Sequence, residues 1–421
     1  MNQKNGFCAA DILLPDFEKV DGTKWAVVAC DQYTSEPEYW ERAAELVGDA
    51  PSTLRLILPE VYLNETEKRT AEINREMARI CETLVNHPGA MICLARTQSD
   101  GTVRKGIIGA LDLETYDFRK GAAALTRATE GTVLERIPPR VAIRRDAPLE
   151  LPHVMLLIDD PKKTVIEPML EKCASRTPVY DFDLMLGGGH VRAYLLGEPE
   201  QNAVTEALAE LITPDAMAER YGDGALAPFL FAAGDGNHSL ATAKTIYEEL
   251  KATLGEEAAR VHPARYALVE VVNLHDDALQ FEPIYRVVFD CNPDELLAEL
   301  RAQLDAQSGT ATAQTIRYFT ADKEGELTVE HPVAQLAVGT LQNFLSEYTQ
   351  RHPNVEVDYI HGEDSLIALA KKPNAIGFLF DGMRKDELFR TVLYDGALPR
   401  KTFSMGHAAD KRYYLECRKI K

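Results

Sequence analysis

The sequence predicts a mixed α/β fold. Short apolar runs of strand length alternate with segments of helical period, and no internal repeat breaks the alternation. Composition agrees: 45% hydrophobic and 27% charged residues sit close to globular averages, which excludes disordered, collagenous and low-complexity chains. At about 150 residues per domain, the 421 residues allow two to three domains, or one large α/β domain with an appended module.

From the N-terminus, Trp25–Cys30 and Thr53–Leu58 read as buried strands joined by a loop and a short helix. The stretch from Asn64 to about Asn86 predicts a helix. Asn64 supplies a cap, Glu67 follows three residues on, and Ile73, Met77, Ile80, Cys81 and Leu84 share a face. Ala90–Arg96 and Val103–Leu113 flank Asp100-Gly101, which predicts an antiparallel hairpin. Leu151–Ile158, Ala227–Ala233 and Arg265–Leu274 read as further buried strands. Past the helical pattern of Pro293–Leu304 comes the small-residue stretch Ser308–Ala313. There the order reads two strands, helix (333–348), strand (355–360), helix (365–371) and strand (375–380). The expected organisation is a main α/β domain over 1–291, a smaller α/β module over 292–384, and a C-terminal segment, 385–421, returning to the main domain.

Charge narrows the function. The net charge of −20 repels phosphate backbones and anionic lipid, so a broad nucleic-acid surface and membrane binding are disfavoured while a small local anion site is not. Seven cysteines, at 8, 30, 81, 93, 173, 291 and 417, include no Cys-x-x-Cys pair. That fits neither a disulfide framework nor a zinc site, and implies a reducing, cytoplasmic setting. No apolar run reaches the ~18 residues of a membrane span, and Asp11 and Asp16 interrupt the place of a signal peptide. No motif speaks to oligomeric state.

The strongest chemical signal is Ala227–Lys244, where a buried strand runs into Gly234-Asp235-Gly236 and a helix opens near His238 with Leu240, Ala243, Tyr247, Leu250 and Leu254 on its inner face. Glycines let backbone approach a ligand, and the first helical turn favours an anion. Asp235 and His238 are candidate catalytic groups; Gly234, Gly236, Asn237 and Ser239 are candidate phosphate contacts. The plain alternative makes Asp235 an N-cap and His238 an ordinary first-turn residue. Asp31, after an apolar strand, is a candidate general base, whereas Cys30 reads as a small buried hydrophobe.

Positive charge gathers elsewhere. Residues 399–421 carry seven Lys or Arg against two acids, and Arg400, Lys401, Thr402 and Ser404 group two cations with two hydroxyls suited to phosphate oxygens. Arg136 and Arg140 form a second candidate cluster; their neighbours Arg144 and Arg145 read as surface ion pairs. Asp181 and Asp183 point to one side of an extended segment and are candidate Mg²⁺ ligands. Leu186–His190 is either a glycine-rich anion cradle or a plain turn. His275-Asp276-Asp277 lacks a second histidine at metal spacing, and His153, after Pro152 at a strand start, reads as structural.

Gly234–Lys244, Cys30–Trp40 and Arg400–Gly406 together resemble the domain of unknown function 1015 family, as do Leu134–Arg140, Leu151–Leu156, Val179–Leu184 and Lys411–Arg418. The resemblance spans nearly the whole chain. Its Asp-Gly-x-His motif is similar to that of the ParB/sulfiredoxin superfamily, which implies a nucleotide-binding core with phosphates at the following helix start. Free serine kinases of that superfamily move a phosphoryl group from a nucleotide to serine, with a carboxylate as base. This chain departs from them: Asn237 stands where a histidine is usual and Ser239 where an arginine is usual. The resemblance thus implies a phosphoryl-transfer enzyme, a small-molecule kinase or phosphatase, using ADP or ATP with Mg²⁺ on a small metabolite such as serine or phosphoserine. A non-catalytic, ParB-like nucleotide-sensing regulator is the alternative. A sulfiredoxin-like redox enzyme would need Cys30 or Cys291 beside the glycine turn.

Overall fold

The computed structural model describes residues 5–132 and 137–421. Arg136, one of the candidate phosphate contacts, lies outside them. The chain is mixed α/β and divides into two compact units, one of Met1–Ala128, Thr132–Leu279 and His407–Lys421, the other of Thr129–Gly131 and Gln280–Gly406. The boundaries differ from those expected at 291/292 and 384/385. Phe281–Phe289 and Phe403–Met405 both pair within the second unit's sheet, so pairing rather than local composition sets the division.

The first unit is built on a ten-stranded sheet. Its strands are β1 (Phe7–Cys8), β2 (Ile92–Thr97), β3 (Val103–Asp112), β4 (Tyr116–Asp117), β5 (Thr126–Ala128), β6 (Met155–Ile158), β7 (Tyr180–Asp183), β8 (His190–Leu195), β9 (Phe231–Asp235) and β10 (Tyr266–Asn273). Their order is β7-β8-β2-β3-β10-β6-β9-β5-β4, with β1 also on β3. Strand periodicity buries both faces: Ile92, Leu94, Ile108 and Leu268 join one core, while Cys93, Ile107, Val269 and Val271 join the other. The Asp100-Gly101 hairpin forms as expected, with Thr97 opposite Val103.

Three local expectations fail for identifiable reasons. Thr53–Leu56 is a tight helical turn, because the Ser52 side chain accepts from Leu54 N and the Thr53 hydroxyl donates to the Trp25 carbonyl. The helix expected over Asn64–Asn86 runs only Thr66–Cys81, and Val85–Ala90 instead pairs with Ala10–Leu14. Of Trp25–Cys30 only Val27–Val28 is strand, and its partner is Tyr413–Tyr414.

That pairing belongs to a C-terminal segment that threads the first unit. Cys417 bridges Leu13, and Arg418–Lys419 pairs with Leu149–Glu150. Arg412 anchors it: Nη1 donates to Glu270 Oε2 (2.6 Å), Nη2 to Glu416, and Nε to the Pro152 carbonyl (3.2 Å). Arg104 lies 3.5 Å from the other Glu270 oxygen. Burial alone pushes the Glu270 carboxyl up, but the Arg104 and Arg412 charges outweigh it and hold the group below the usual value.

The second unit carries a six-stranded sheet of β11 (Phe281–Phe289), β12 (Gln314–Phe319), β13 (Glu324–Val329), β14 (Glu356–His361), β15 (Ile376–Phe380) and β16 (Phe403–Met405). The order is β13-β12-β15-β11-β14, with β16 also on β11. Helices Pro293–Asp305, Ala337–Arg351 and Glu363–Ala370 fall where the periodicity places them. Among the described residues no helix is long and apolar enough to cross a membrane.

Both tryptophans, Trp25 and Trp40, lie in the first unit, so their fluorescence reports that unit alone. Arg412→Met leaves Glu270 and Glu416 buried without their shared cation, and urea denaturation followed by this fluorescence should show a loss of about 3–5 kcal/mol.

Candidate functional site

The site is built on the turn from β9 into helix α2 (Asn237–Leu254), with helix α1 (Ile137–Arg145) packed beside it through Ile137 and Val141 on Ala241 and Ile246. Gly236 caps α2 in the left-handed region, at φ +74°. A Cβ there would stand 3.0 Å from Val154 Cα and 3.3 Å from His153 Cδ2, so conformation and space both demand glycine. Gly234 has another task. Met155 faces Asp235 while Leu156 faces Ala233, which makes Gly234 the extra residue of a bulge.

Asp235 ends β9. Its Oδ1 accepts from Gly236 N (2.9 Å), and its Oδ2 lies 3.3 Å from Lys411 Nζ. The lysine arrives on the Arg412-anchored segment and also acts electrostatically on Asp31. Asp31 Oδ1 accepts from Gln32 Nε2 (3.1 Å), and Oδ2 is 3.7 Å from His153 Nε2. Burial works to raise the Asp31 carboxyl, but His153, the Gln32 hydrogen bond and Lys411 prevail and hold it below the usual carboxylate value. It is ionised at neutral pH.

Behind this pair, Tyr414 Oη lies 2.7 Å from His153 Nδ1 and 3.0 Å from Cys30 Sγ. Burial, and then the Asp31 charge, push the Cys30 thiol up to about 12. The residue is a neutral hydrogen-bonding group and no thiolate nucleophile. Glu60 N donates to the Cys30 carbonyl (2.8 Å), and the Glu60 carboxylate pairs with Arg140. Glycine turn, Asp31, Asp235, Lys411, His153, Tyr414 and Arg140 thus surround one end of α2.

Other candidates fall differently. Asn237, His238 and Ser239 form the first turn of α2, each partly buried, and the His238 carbonyl accepts from Thr242 Oγ1 (2.7 Å). Of the expected inner face of α2, Leu240, Ala243 and Tyr247 are buried in the sheet core and Leu250 packs beside Ala241 and Ile246, while Leu254 is exposed. Arg400, Lys401, Thr402 and Ser404 belong to the second unit. There the Arg400 and Lys401 carbonyls accept from buried Arg286 (2.9 and 3.1 Å), Thr402 Oγ1 donates to the Pro399 carbonyl (2.8 Å), and Ser404 pairs with Glu282. They flank Glu130, whose carboxyl burial pushes up to about 7 against the nearby Lys401 N–H and arginine charges.

Asp181 and Asp183 do not form a cation site. Asp181 binds His190 Nε2 (2.6 Å) and Arg192 Nε (2.7 Å), and Asp183 binds His190 Nδ1 (2.8 Å). Among the described residues no group of three or more His, Cys, Asp or Glu is placed to hold a metal ion. Leu186–Gly189 lies in the β7–β8 hairpin turn and His190 opens β8, and His275 Nε2 pairs with Asp159 (2.6 Å).

Sequence reasoning missed Lys411, His153 and Tyr414 as site residues. The basic excess of the C-terminal segment was a signal, but the hydroxyls beside Arg400 and Lys401 drew the assignment there. Nothing local marks Lys411, whose carboxylate partner is remote in sequence.

A family model described as "Protein of unknown function (DUF1015)" matches residues 14–375. Among solved structures, the chain is similar to a free serine kinase mutant in complex with ADP, at 10% identity and TM-score 0.37, over 76% of this chain and 93% of that one. A free serine kinase mutant in complex with AMP matches at 11% identity and TM-score 0.36, over 74% and 91%. A conserved hypothetical protein from Pyrococcus furiosus matches at 14% identity and TM-score 0.28, over 52% and 88%. No curated protein matches. The chemistry of the site has to come from its own residues.

Two outcomes follow from this geometry. Gly236→Ala forces a side chain into the left-handed region, at about 1–2 kcal/mol, and against Val154; the unfolding free energy from tryptophan-monitored denaturation should fall by at least that amount. Cys30, part-exposed like Cys81 but with its thiol held neutral, should resist iodoacetamide at about pH 8 over times that modify Cys81, as peptide mass mapping would show.

Proposed function

The chain belongs to the DUF1015 family, and on that premise we propose that its first unit transfers a phosphoryl group between a nucleotide, ATP or ADP, and a small hydroxyl-bearing metabolite such as serine, in the cytoplasm. One observation carries the reading. A single lysine, Lys411, serves two carboxylates, Asp235 at 3.3 Å and Asp31 through its field, at the mouth of a glycine-capped helix start. It restores the cation that Ser239 does not supply.

The roles follow from charge. The first turn of α2 and Lys411 take the phosphate oxygens. Asp31 accepts the proton as the acceptor O–H bond breaks, the acceptor oxygen bonds to phosphorus, and the bond from phosphorus to the bridging oxygen breaks. The leaving nucleotide keeps that electron pair, and Lys411 offsets the developing charge. Asp235 orients Lys411, while His238, Asn237 and Ser239 line the phosphate side. Asp181 and Asp183 do not fit Mg²⁺, being engaged with His190 and Arg192, so no step is routed through it.

The test is ³¹P NMR of the purified protein with L-serine and ATP or ADP. A new phosphoester resonance is expected, and Asp31→Asn should slow its appearance by about 10²–10⁴-fold with the unfolding midpoint little changed. Lys411→Ala should weaken nucleotide binding, and Lys411→Arg should retain it in part. Because Asp31 titrates below the usual carboxylate value, kcat/KM should hold from neutral pH down to that range and fall only as Asp31 takes up its proton. Shifted or broadened resonances without conversion would favour the sensor reading.

A further inference from the structure

His153 is buried, and its two ring nitrogens face different groups: Nε2 lies 3.7 Å from Asp31 Oδ2 and Nδ1 2.7 Å from Tyr414 Oη. The ring is fixed from three further sides. The Gly236 turn lies against Cδ2, the Pro152 carbonyl before it is held by Arg412, and the Tyr414 ring meets it edge-on at 5.4 Å between centroids. Tyr414 Oη in turn has the Cys30 N–H at 3.4 Å and Cys30 Sγ at 3.0 Å.

A tyrosine hydroxyl carries one proton and two lone pairs. With neutral His153, that proton lies toward Nδ1 and the ring presents Nε2–H to Asp31. With protonated His153, Nδ1–H points at Tyr414 Oη, and the hydroxyl proton turns to Cys30 Sγ. The Tyr414–Nδ1 hydrogen bond is kept in both states, and the hydroxyl proton keeps an acceptor, Nδ1 in one state and Cys30 Sγ in the other. A buried ring that changes charge ordinarily strands a partner, at the cost of an unsatisfied group, and here the sulfur removes that cost.

We propose that His153 is the positioning residue for Asp31, holding the carboxylate ionised and oriented from behind, and that Cys30 Sγ is the alternate acceptor that lets the buried ring carry a charge. Cys30 suits this because its thiol stays neutral, so the hydroxyl turns without making an anion. The other charged groups that bear on the cluster are Lys411 on Asp31, the Glu60–Arg140 pair on Cys30, and Asp235 beside the Gly236 turn. The description of Asp31 as a base rests on the phosphoryl-transfer reading; the charge behaviour of His153 does not.

The test is a pH titration of the full-length protein labelled with ¹⁵N-histidine, with the His153 signal assigned through His153→Gln. Asp31→Asn should lower the His153 midpoint by about 1–3 pH units. Cys30→Ala should lower it by a smaller step, and Cys30→Ser, whose hydroxyl accepts in the same place, should recover most of that step. In a Tyr414→Phe background the Cys30 substitution should have no further effect. Midpoints unmoved in Asp31→Asn and in Cys30→Ala, with tryptophan fluorescence reporting folded protein, would overturn the proposal. If the midpoints move as stated but ³¹P NMR shows no conversion, the enzymatic reading fails and the positioning of Asp31 by His153 stands.

Discussion

The guanidinium of Arg412 sits inside the first unit among two carboxylates and a carbonyl, and the placement of the site depends on it. Burying an ion costs several kcal/mol unless its charge and hydrogen bonds are met. Here Arg104 and Arg412 stand against Glu270 and Glu416, so the charges of the cluster balance, while Arg104 Nε and Glu270 Oε1, 3.5 Å apart, are buried without a hydrogen bond. Such an arrangement adds less to net stability than an apolar core of equal volume, but it tolerates only one register. A one-residue slip of the C-terminal segment would withdraw Arg412 and insert Lys411 or Tyr413 among the acids. Lys411 beside Asp235, and Tyr414 beside Cys30 and His153, are consequences of that register.

The same segment bears on how a chain of net charge −20 would hold the anion of the proposed reaction. The field of the whole protein opposes an anionic ligand at long range, so attraction has to come from groups within a few ångström. A helix start supplies partial charge, and Lys411 supplies a full one whose present neighbours are carboxylates. A partly buried lysine 3.3 Å from Asp235 is directed before any ligand arrives. A phosphate then competes for a cation already in position, which reduces the ordering cost of binding.

Local pattern made much of the fold legible, and the same criterion shows where legibility ends. The Asp100-Gly101 hairpin, the glycine turn before α2, and the helices and strands between Pro293 and Phe380 are each decided within a dozen residues by periodicity and turn chemistry. Thr53–Leu58 misleads because Ser52 and Thr53 offer the backbone side-chain partners that no hydropathy pattern records. Val85–Ala90 leaves the helix because Ala10–Leu14 needs a partner strand. In the site, Asp31 and the glycine turn were legible from a strand end and a motif. Lys411 and Tyr414 were not, since Asp235, Cys30 and His153 meet them only through the register that Arg412 sets.

The bulge at Gly234 binds these parts into one mechanical unit. The extra residue in β9 opposite the Met155–Leu156 step bends the strand. Gly236, lacking a side chain, then settles against Val154 and the edge of His153. The turn that would hold a phosphate and the ring that stands behind Asp31 are therefore so close that one added methyl at Gly236 would crowd both Val154 and the ring. Their spacing is set by packing within the sheet and not by a loop. A close-packed contact of this kind resists changes of even a few tenths of an ångström. Were the turn to hold a phosphate and Asp31 to act as its base, as proposed, the two would gain most from that stiffness, and glycine at 236 would serve the chemistry without carrying a functional group.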